Sequence, residues 1–211
     1  GGTIKWINNH FSNIHVTGIN SSLEQLEVCK ELVPSAGNSI DLTFGDACEF
    51  TTKRMFDKIV CLEAMFHFDS RRECIRRAFS ALRPGGILVG TDILFSRGSI
   101  PDQHFETLIN TLQSGYGPWP RPELSDAELV AMFNECGFTD VYCNEVTKET
   151  ISTHEFTTPG ELDWGEIKPE DVAPLLGAAY ALRTLHHQNA LNYILVSASR
   201  PEVSSPAQTV L

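Results

Sequence analysis

Positive charge is what this sequence has least of. Sixteen Lys and Arg stand against 27 Asp and Glu, a formal net charge of −11 over 211 residues. That balance argues against nucleic acid, whose binding rests on cations displacing phosphate counterions. The basic residues that do cluster, Arg71-Arg72 and Arg76-Arg77, recur at helical spacing and read as a solvated helix face. Long apolar runs are missing too. No eighteen consecutive apolar residues occur and the first residues carry no signal-peptide pattern, so no membrane is expected as a partner and a cytoplasmic setting is. The six cysteines, at 29, 48, 61, 74, 136 and 143, contain no C-x-x-C pair. Cys61 sits inside an apolar run, so reduced, packed thiols are expected and no zinc site. His186 and His187 are adjacent, and on a helix neighbours diverge by about 100°, which argues against a shared metal. No G-x-S-x-G and no Cys–His context points to a nucleophilic serine or cysteine.

What is present fits one globular domain with room for a core. The stretch Phe56–Asp92 carries the most information. Lys58–Leu62 and Ile87–Thr91 are apolar without alternation, as in parallel strands covered on both faces. Between them lie a loop with Glu63 and His67, an amphipathic helix over Arg71–Leu82, and a turn at Arg83-Pro84-Gly85-Gly86. A crossover this short makes the two strands adjacent and parallel. Polar residues then fall at the carboxyl ends of neighbouring strands, where open α/β sheets bind ligands.

Upstream, Ile4, Ile7 and Phe11 fit a helix face, Ile14–Ile19 a strand, Leu23, Leu26, Cys29 and Leu32 a helix capped by Ser21 or Ser22, and Ile40–Phe44 a third apolar strand. Downstream, Phe95–Pro122 reads as a long connection rich in Gly, Pro and aromatics, with a short helix around Thr107–Leu112. A capping box, Ser125…Glu128, opens a helix ending at Gly137. A strand over Thr139–Val146, a helix over Lys168–His187 and a strand over Leu191–Ser197 follow. Residues 1–200 are expected to form the domain, and 201–211 a disordered tail.

The run LEAMFHF…RRECIRRAFSALRPGGILVGTD resembles the class I S-adenosylmethionine-dependent methyltransferases, in particular the small-molecule enzymes of natural-product and sugar O-methylation. The resemblance implies a Rossmann-like, doubly wound α/β fold with a mostly parallel sheet and an antiparallel last strand inserted between its neighbours. It also implies S-adenosyl-L-methionine as cofactor. In that family a first strand ends in an acidic residue and a G-x-G-x-G turn, of which Gly1-Gly2 look like the tail, so the sequence is expected to start inside the fold. A scar left by cloning is the alternative for Gly1-Gly2. Losing such a central strand would remove about five buried aliphatic side chains at roughly 1.5–3 kcal/mol each, comparable with a domain's whole stability of about 5–15 kcal/mol.

By the same resemblance the cofactor falls to Gly1, Gly2, Asn20, Ser21, Asp46, Ala47, Glu63 and Ala64. Asn20 would meet the ribose, Asp46 the adenine amino group, and the Ala47 amide the ring. The alternatives are a helix cap for Asn20, a turn residue for Asp46 and a helix-start charge for Glu63. His67 is the candidate base for a hydroxyl acceptor, with Asp92 orienting it or sharing its proton, directly or through one water. Packing between Phe66 and Phe68 is the alternative for His67. Residues 95–124 would form an acceptor lid, with Tyr116 and Trp119 as an apolar wall or simply as core. The expected function is methyl transfer to a small-molecule hydroxyl. N- or C-methylation and an inactive truncated homologue remain open, as does a second copy of the chain as partner. A nicotinamide oxidoreductase fits poorly, because Asn20 stands where an acidic residue belongs and no catalytic Tyr/Lys pair is found.

Overall fold

A computed structural model describes residues 1–98, 100–120, 122–150 and 169–202. They divide into two units, Gly1–Thr52 and Lys53–Leu211. The start expected at Lys168 and residues 203–211 of the expected tail lie outside the described residues.

In the first unit, helix α1 (Gly2–His10) leads into strand β1 (His15–Asn20), and helix α2 (Leu23–Cys29) into strand β2 (Ser39–Phe44). Ser22, not Ser21, caps α2: its hydroxyl accepts the Gln25 N–H. The two strands pair in parallel from His15↔Ser39 to Asn20↔Phe44. Two buried amides hold the connections. Asn8 Nδ2 donates to Val33 O at 3.0 Å, and Asn38 Nδ2 donates to Phe11 O at 2.9 Å. Each side chain satisfies backbone groups that the loops leave without a ladder partner.

The second unit runs β3 (Phe56–Cys61), a 3-10 turn (Met65–His67), α3 (Arg71–Ala81), β4 (Leu82–Phe95), α4 (Asp102–Tyr116), α5 (Asp126–Glu135), β5 (Thr139–Glu145), α6 (Thr147–Thr150), α7 (Pro169–His187) and β6 (Leu191–Ser199). Its sheet has the order β3-β4-β6-β5. β3 and β4 are parallel, with Lys58↔Ile87 and Cys61↔Gly90, as the short crossover requires. β6 runs antiparallel to both β4 and β5, which inserts the last strand between its neighbours. The α/β fold with an antiparallel last strand is therefore the observed one.

Alternation along β4 and β6 divides the core. Leu88, Leu94, Ile194, Val196 and Ala198 pack with Ile75 and Ala78 of α3 and with Leu129 and Phe133 of α5. Ile93 and Phe95 pack on the opposite face with Leu108 and Leu112 of α4 and Ala178 and Leu185 of α7. Helices thus cover both faces. α4 and α7 approach closely at Gly115, where a Cβ would lie 2.6 Å from the Ala178 Cβ and 2.3 Å from the Pro174 carbonyl oxygen.

Two local expectations change. The turn at Arg83–Gly86 lies inside β4 as an irregularity: Phe56 pairs with Leu82, and the register resumes only at Lys58↔Ile87. Gly85, at φ +76°, supplies the left-handed residue there. Arg200 fastens it, its carbonyl accepting the Gly85 N–H at 2.9 Å and its N–H donating to Gly86 O at 2.8 Å. The Arg200 guanidinium also donates to Phe79 O and Leu82 O, carbonyls that the end of α3 leaves open. The second change is α4, which is 15 residues long where a short helix was expected. Phe105, Leu108, Ile109 and Leu112 bury one stripe, and that burial outweighs the Gly, Pro and aromatic signals around it.

Candidate active site

The site builds from the carboxyl ends of β3 and β4. Past Cys61, Glu63 takes a left-handed conformation, φ +49°, which costs a non-glycine residue roughly 1–2 kcal/mol. Two bonds hold it. Its N–H donates to the Thr91 hydroxyl at 2.9 Å, and its carboxylate accepts the Tyr193 O–H. The turn that follows is anchored in both halves of the core: Met65 enters the α3/α5 side and Phe66 the α4/α7 side. His67, between these anchors and the α3 cap at Ser70, stays half-buried.

His67 Nδ1 lies 2.8 Å from the Pro118 carbonyl oxygen. A carbonyl only accepts, so Nδ1 carries the proton and Nε2 keeps the lone pair. Trp119 stacks on Phe66 with ring centroids 4.1 Å apart and lies 5.5 Å from the His67 ring. Trp119 is 2% exposed, so it is core, while Tyr116 is partly open at 38%. Of the expected aromatic wall, Tyr116 alone remains accessible. A shallow hollow of about 260 Å³ opens beside this segment, lined by Arg97, Phe105, Glu106, Ile109 and Glu123 among others. Arg97 is already committed there, to Asp102 at 2.8 Å and Glu123 at 2.6 Å.

Asp92 corrects the expected catalytic pair. It shares its strand parity with Leu88 and Leu94, so its side chain enters the α3/α5 side. There it is 0% exposed and accepts from Arg71 Nε at 2.7 Å and Nη2 at 3.3 Å, and from the Ile93 N–H at 2.9 Å. Burial pushes the Asp92 carboxyl above its ordinary range, and the Arg71 bonds and charge work against that rise. No direct His67–Asp92 hydrogen bond forms. The Asp92 carboxylate is taken up by Arg71 and the Ile93 N–H, and His67 by the Pro118 carbonyl.

Of the other expected residues, Asn20, Ser21, Asp46 and Ala47 lie at or just past strand ends of the first unit. Asn20 Oδ1 accepts the Ser22 N–H at 2.8 Å and its Nδ2 donates to Gln25 Oε1 at 2.7 Å. Asp46 Oδ1 accepts the Cys48 N–H at 2.7 Å. Both close local turns, which is the alternative given for Asp46, while the cap considered for Asn20 falls to Ser22; Asp46 is exposed and Ala47 half-buried. Ser21 is exposed. Gly1 precedes α1, its carbonyl accepting the Lys5 N–H at 2.9 Å, and Gly2 is the first helical residue. Glu63 and Ala64 lie in the turn beyond β3.

Arg71, Thr91, Tyr193 and the Pro118 carbonyl were missed in the sequence. Arg71 read as one of four solvated arginines, and it is 5% exposed. Its signal was position: it opens α3, where a strand-end carboxylate below needs a cation. Among the described residues no cluster of His, Cys, Asp and Glu could hold a metal ion, and no helix is long and apolar enough to cross a membrane.

Residues 1–90 match a protein family described as a methyltransferase domain. Methyltransferase GfsG of Streptomyces halstedii is 36% identical over 90 residues, 41% of this chain and 32% of that protein. Erythromycin 3''-O-methyltransferase of Saccharopolyspora erythraea is 31% identical over 80 residues, 38% of this chain and 24% of that protein. The chain thus spans a third or less of the length of these curated relatives. Among solved structures, phosphoethanolamine N-methyltransferase 2 of Haemonchus contortus, in complex with phosphomonomethylethanolamine and S-adenosylhomocysteine, superposes with a TM-score of 0.77 at 16% identity. It covers 96% of this chain and 47% of that one, and at that identity the likeness is one of fold.

Proposed function

We propose that this chain is a class I S-adenosylmethionine-dependent methyltransferase that methylates a small-molecule acceptor at a hydroxyl oxygen with S-adenosyl-L-methionine as cofactor. One observation carries the choice of oxygen. His67 is half-buried at a strand end with Nδ1 tied to a carbonyl, which leaves Nε2 as the proton acceptor a hydroxyl substrate needs. The Saccharopolyspora relative, named as an O-methyltransferase, supports the same reading.

Bound S-adenosylmethionine supplies an already activated methyl group, so the protein's work is placement and proton removal. His67 takes the hydroxyl proton at Nε2, and the resulting imidazolium keeps its Nδ1–H on Pro118 O. Arg71 holds the Asp92 carboxylate in place beneath the sheet. For the cofactor, Asn20 and Ser21 serve the ribose and Asp46 and the Ala47 amide the adenine. Gly1 and Gly2, at the start of α1, and separately the Glu63–Ala64 turn are the remaining candidates for cofactor contacts. The residue types suit the group: Asp46 brings a carboxylate, Asn20 an amide and Ala47 a backbone N–H, the chemistry a ribose and an adenine amino group require. The second reading, N-methylation, needs no base once an amine is neutral.

Isothermal titration of the chain with S-adenosylhomocysteine tests the cofactor. Binding that weakens by about 1–3 kcal/mol in Asp46→Ala is expected, the usual loss for a charge-assisted hydrogen bond. No heat from the unaltered chain would sink the reading.

A further inference from the structure

We propose that Tyr193 is a positioning residue of the cofactor site: its hydroxyl, by donating to Glu63, fixes the left-handed turn on which Glu63 and Ala64 face the cofactor. The inference rests on the functional reading above and deepens it. Left alone, Glu63 at φ +49° would relax toward a right-handed or extended conformation, because its Cβ crowds the carbonyl in this region. Relaxation would redirect the peptide planes of Glu63 and Ala64. Two side chains oppose it from one face of the sheet. Thr91 on β4 accepts the Glu63 N–H, and Tyr193 on β6 donates to the Glu63 carboxylate.

Tyr193 is itself well placed to bear load. Its N–H donates to the Thr147 hydroxyl at 2.9 Å, and its carbonyl accepts the Val146 N–H at 2.8 Å. Antiparallel pairing sets it opposite Ile93, and its ring packs against the α4/α7 side of the core. The phenol therefore approaches Glu63 from a rigid strand, while Glu63 belongs to an exposed turn. A bond from a rigid donor to a turn carboxylate orders the turn. The phenol is held in its protonated, donating form: burial and the Glu63 bond push it up to about 12, with the Thr91 hydroxyl working the other way.

A double-mutant cycle read by S-adenosylhomocysteine titration provides the test. Tyr193→Phe should weaken binding about tenfold, as for loss of one bond to a charged group, with the melting temperature nearly unchanged. Glu63→Gly accepts the left-handed conformation at no steric cost. In that background Tyr193→Phe should therefore change affinity less than twofold. A purely structural tyrosine would lower the melting temperature in both backgrounds and show no such dependence. Equal binding by Tyr193→Phe and the unaltered chain overturns the inference and leaves the functional reading intact, as does an equal loss in both backgrounds. No binding by the unaltered chain overturns the functional reading and this inference with it. Titration of the labelled Tyr193 ring carbon separately checks the bond: its ionisation should move back down in Glu63→Gln, and an unmoved midpoint removes the contact on which the inference stands.

Discussion

Two carboxylates at one level of neighbouring parallel strands, one past its strand and one within it, meet opposite fates. Glu63, beyond β3, is exposed, sits on a left-handed turn and is held by a tyrosine. Asp92, at the same level of β4, is fully buried and held by an arginine. Strand parity explains the difference. Asp92 continues the alternation of Leu88 and Leu94 and must point under the sheet, whereas Glu63 has left its strand and obeys the turn. A strand-end carboxylate is therefore not yet a site residue; whether it lies within the ladder or past it decides what it can meet.

The widest separation between the two should appear in stability. Arg71→Ala strands a buried charge and should cost about 3–5 kcal/mol in denaturant unfolding, while Glu63→Gln, at an exposed position, should cost under about 1 kcal/mol. Similar losses from both would erase the distinction. Next in size is catalysis. His67→Ala should slow turnover by about a hundredfold without altering cofactor affinity, whereas Glu63→Gln should act on affinity first. A near-normal rate without His67, measured under single-turnover conditions, would favour an amine or carbon acceptor.

Alkali should act through the Glu63 arm. Tyr193 has a folded-state value raised to about 12, so the stability tied to its protonated form is present below the ordinary tyrosine range, near 10. It is lost as pH rises from there through about 12. Melting curves of the unaltered chain should fall in that window by more than those of Tyr193→Phe. The smallest effect belongs to acid and to a surface group. Glu73 is lowered to about 2, first by its Arg76 hydrogen bond and then by the Arg76 charge and Arg77. Its contribution is present above the ordinary Glu value and disappears as pH falls through about 2. Glu73→Gln should therefore remove only a shallow part of the acid limb, and a large change would show that α3 is anchored from outside and not through Arg71.

The sheet was legible because its signals are covalently close. The apolar runs around Lys58 and Ile87 sit one short helix apart, and that spacing alone makes them parallel neighbours. The capping box at Ser125 and the left-handed Gly137 were equally local. What sequence could not show depended on distant partners. Arg71 is indistinguishable from Arg72, Arg76 and Arg77 until Asp92 lies beneath it, and Trp119 reads equally as pocket wall or core until Phe66 stacks on it. Tyr193 is about 130 residues from the glutamate it holds, a pairing set by β6 entering between β4 and β5. His67 and Asp92 were read as residues of adjacent strand ends, but β4 runs on to Phe95 and buries Asp92, while His67 sits in the turn beyond β3.

The Arg200 clamp at Gly85–Gly86 has a practical consequence for presenting the protein on a surface. Glu202 leaves the sheet at the amino end of β4, while Thr91, against which the Glu63 turn closes, lies five residues further along the strand. At about 3.3 Å per residue that is a separation of roughly 17 Å. A tether attached at position 202 would pull on the strand end that Arg200 fastens and not on the turn that Thr91 and Tyr193 hold.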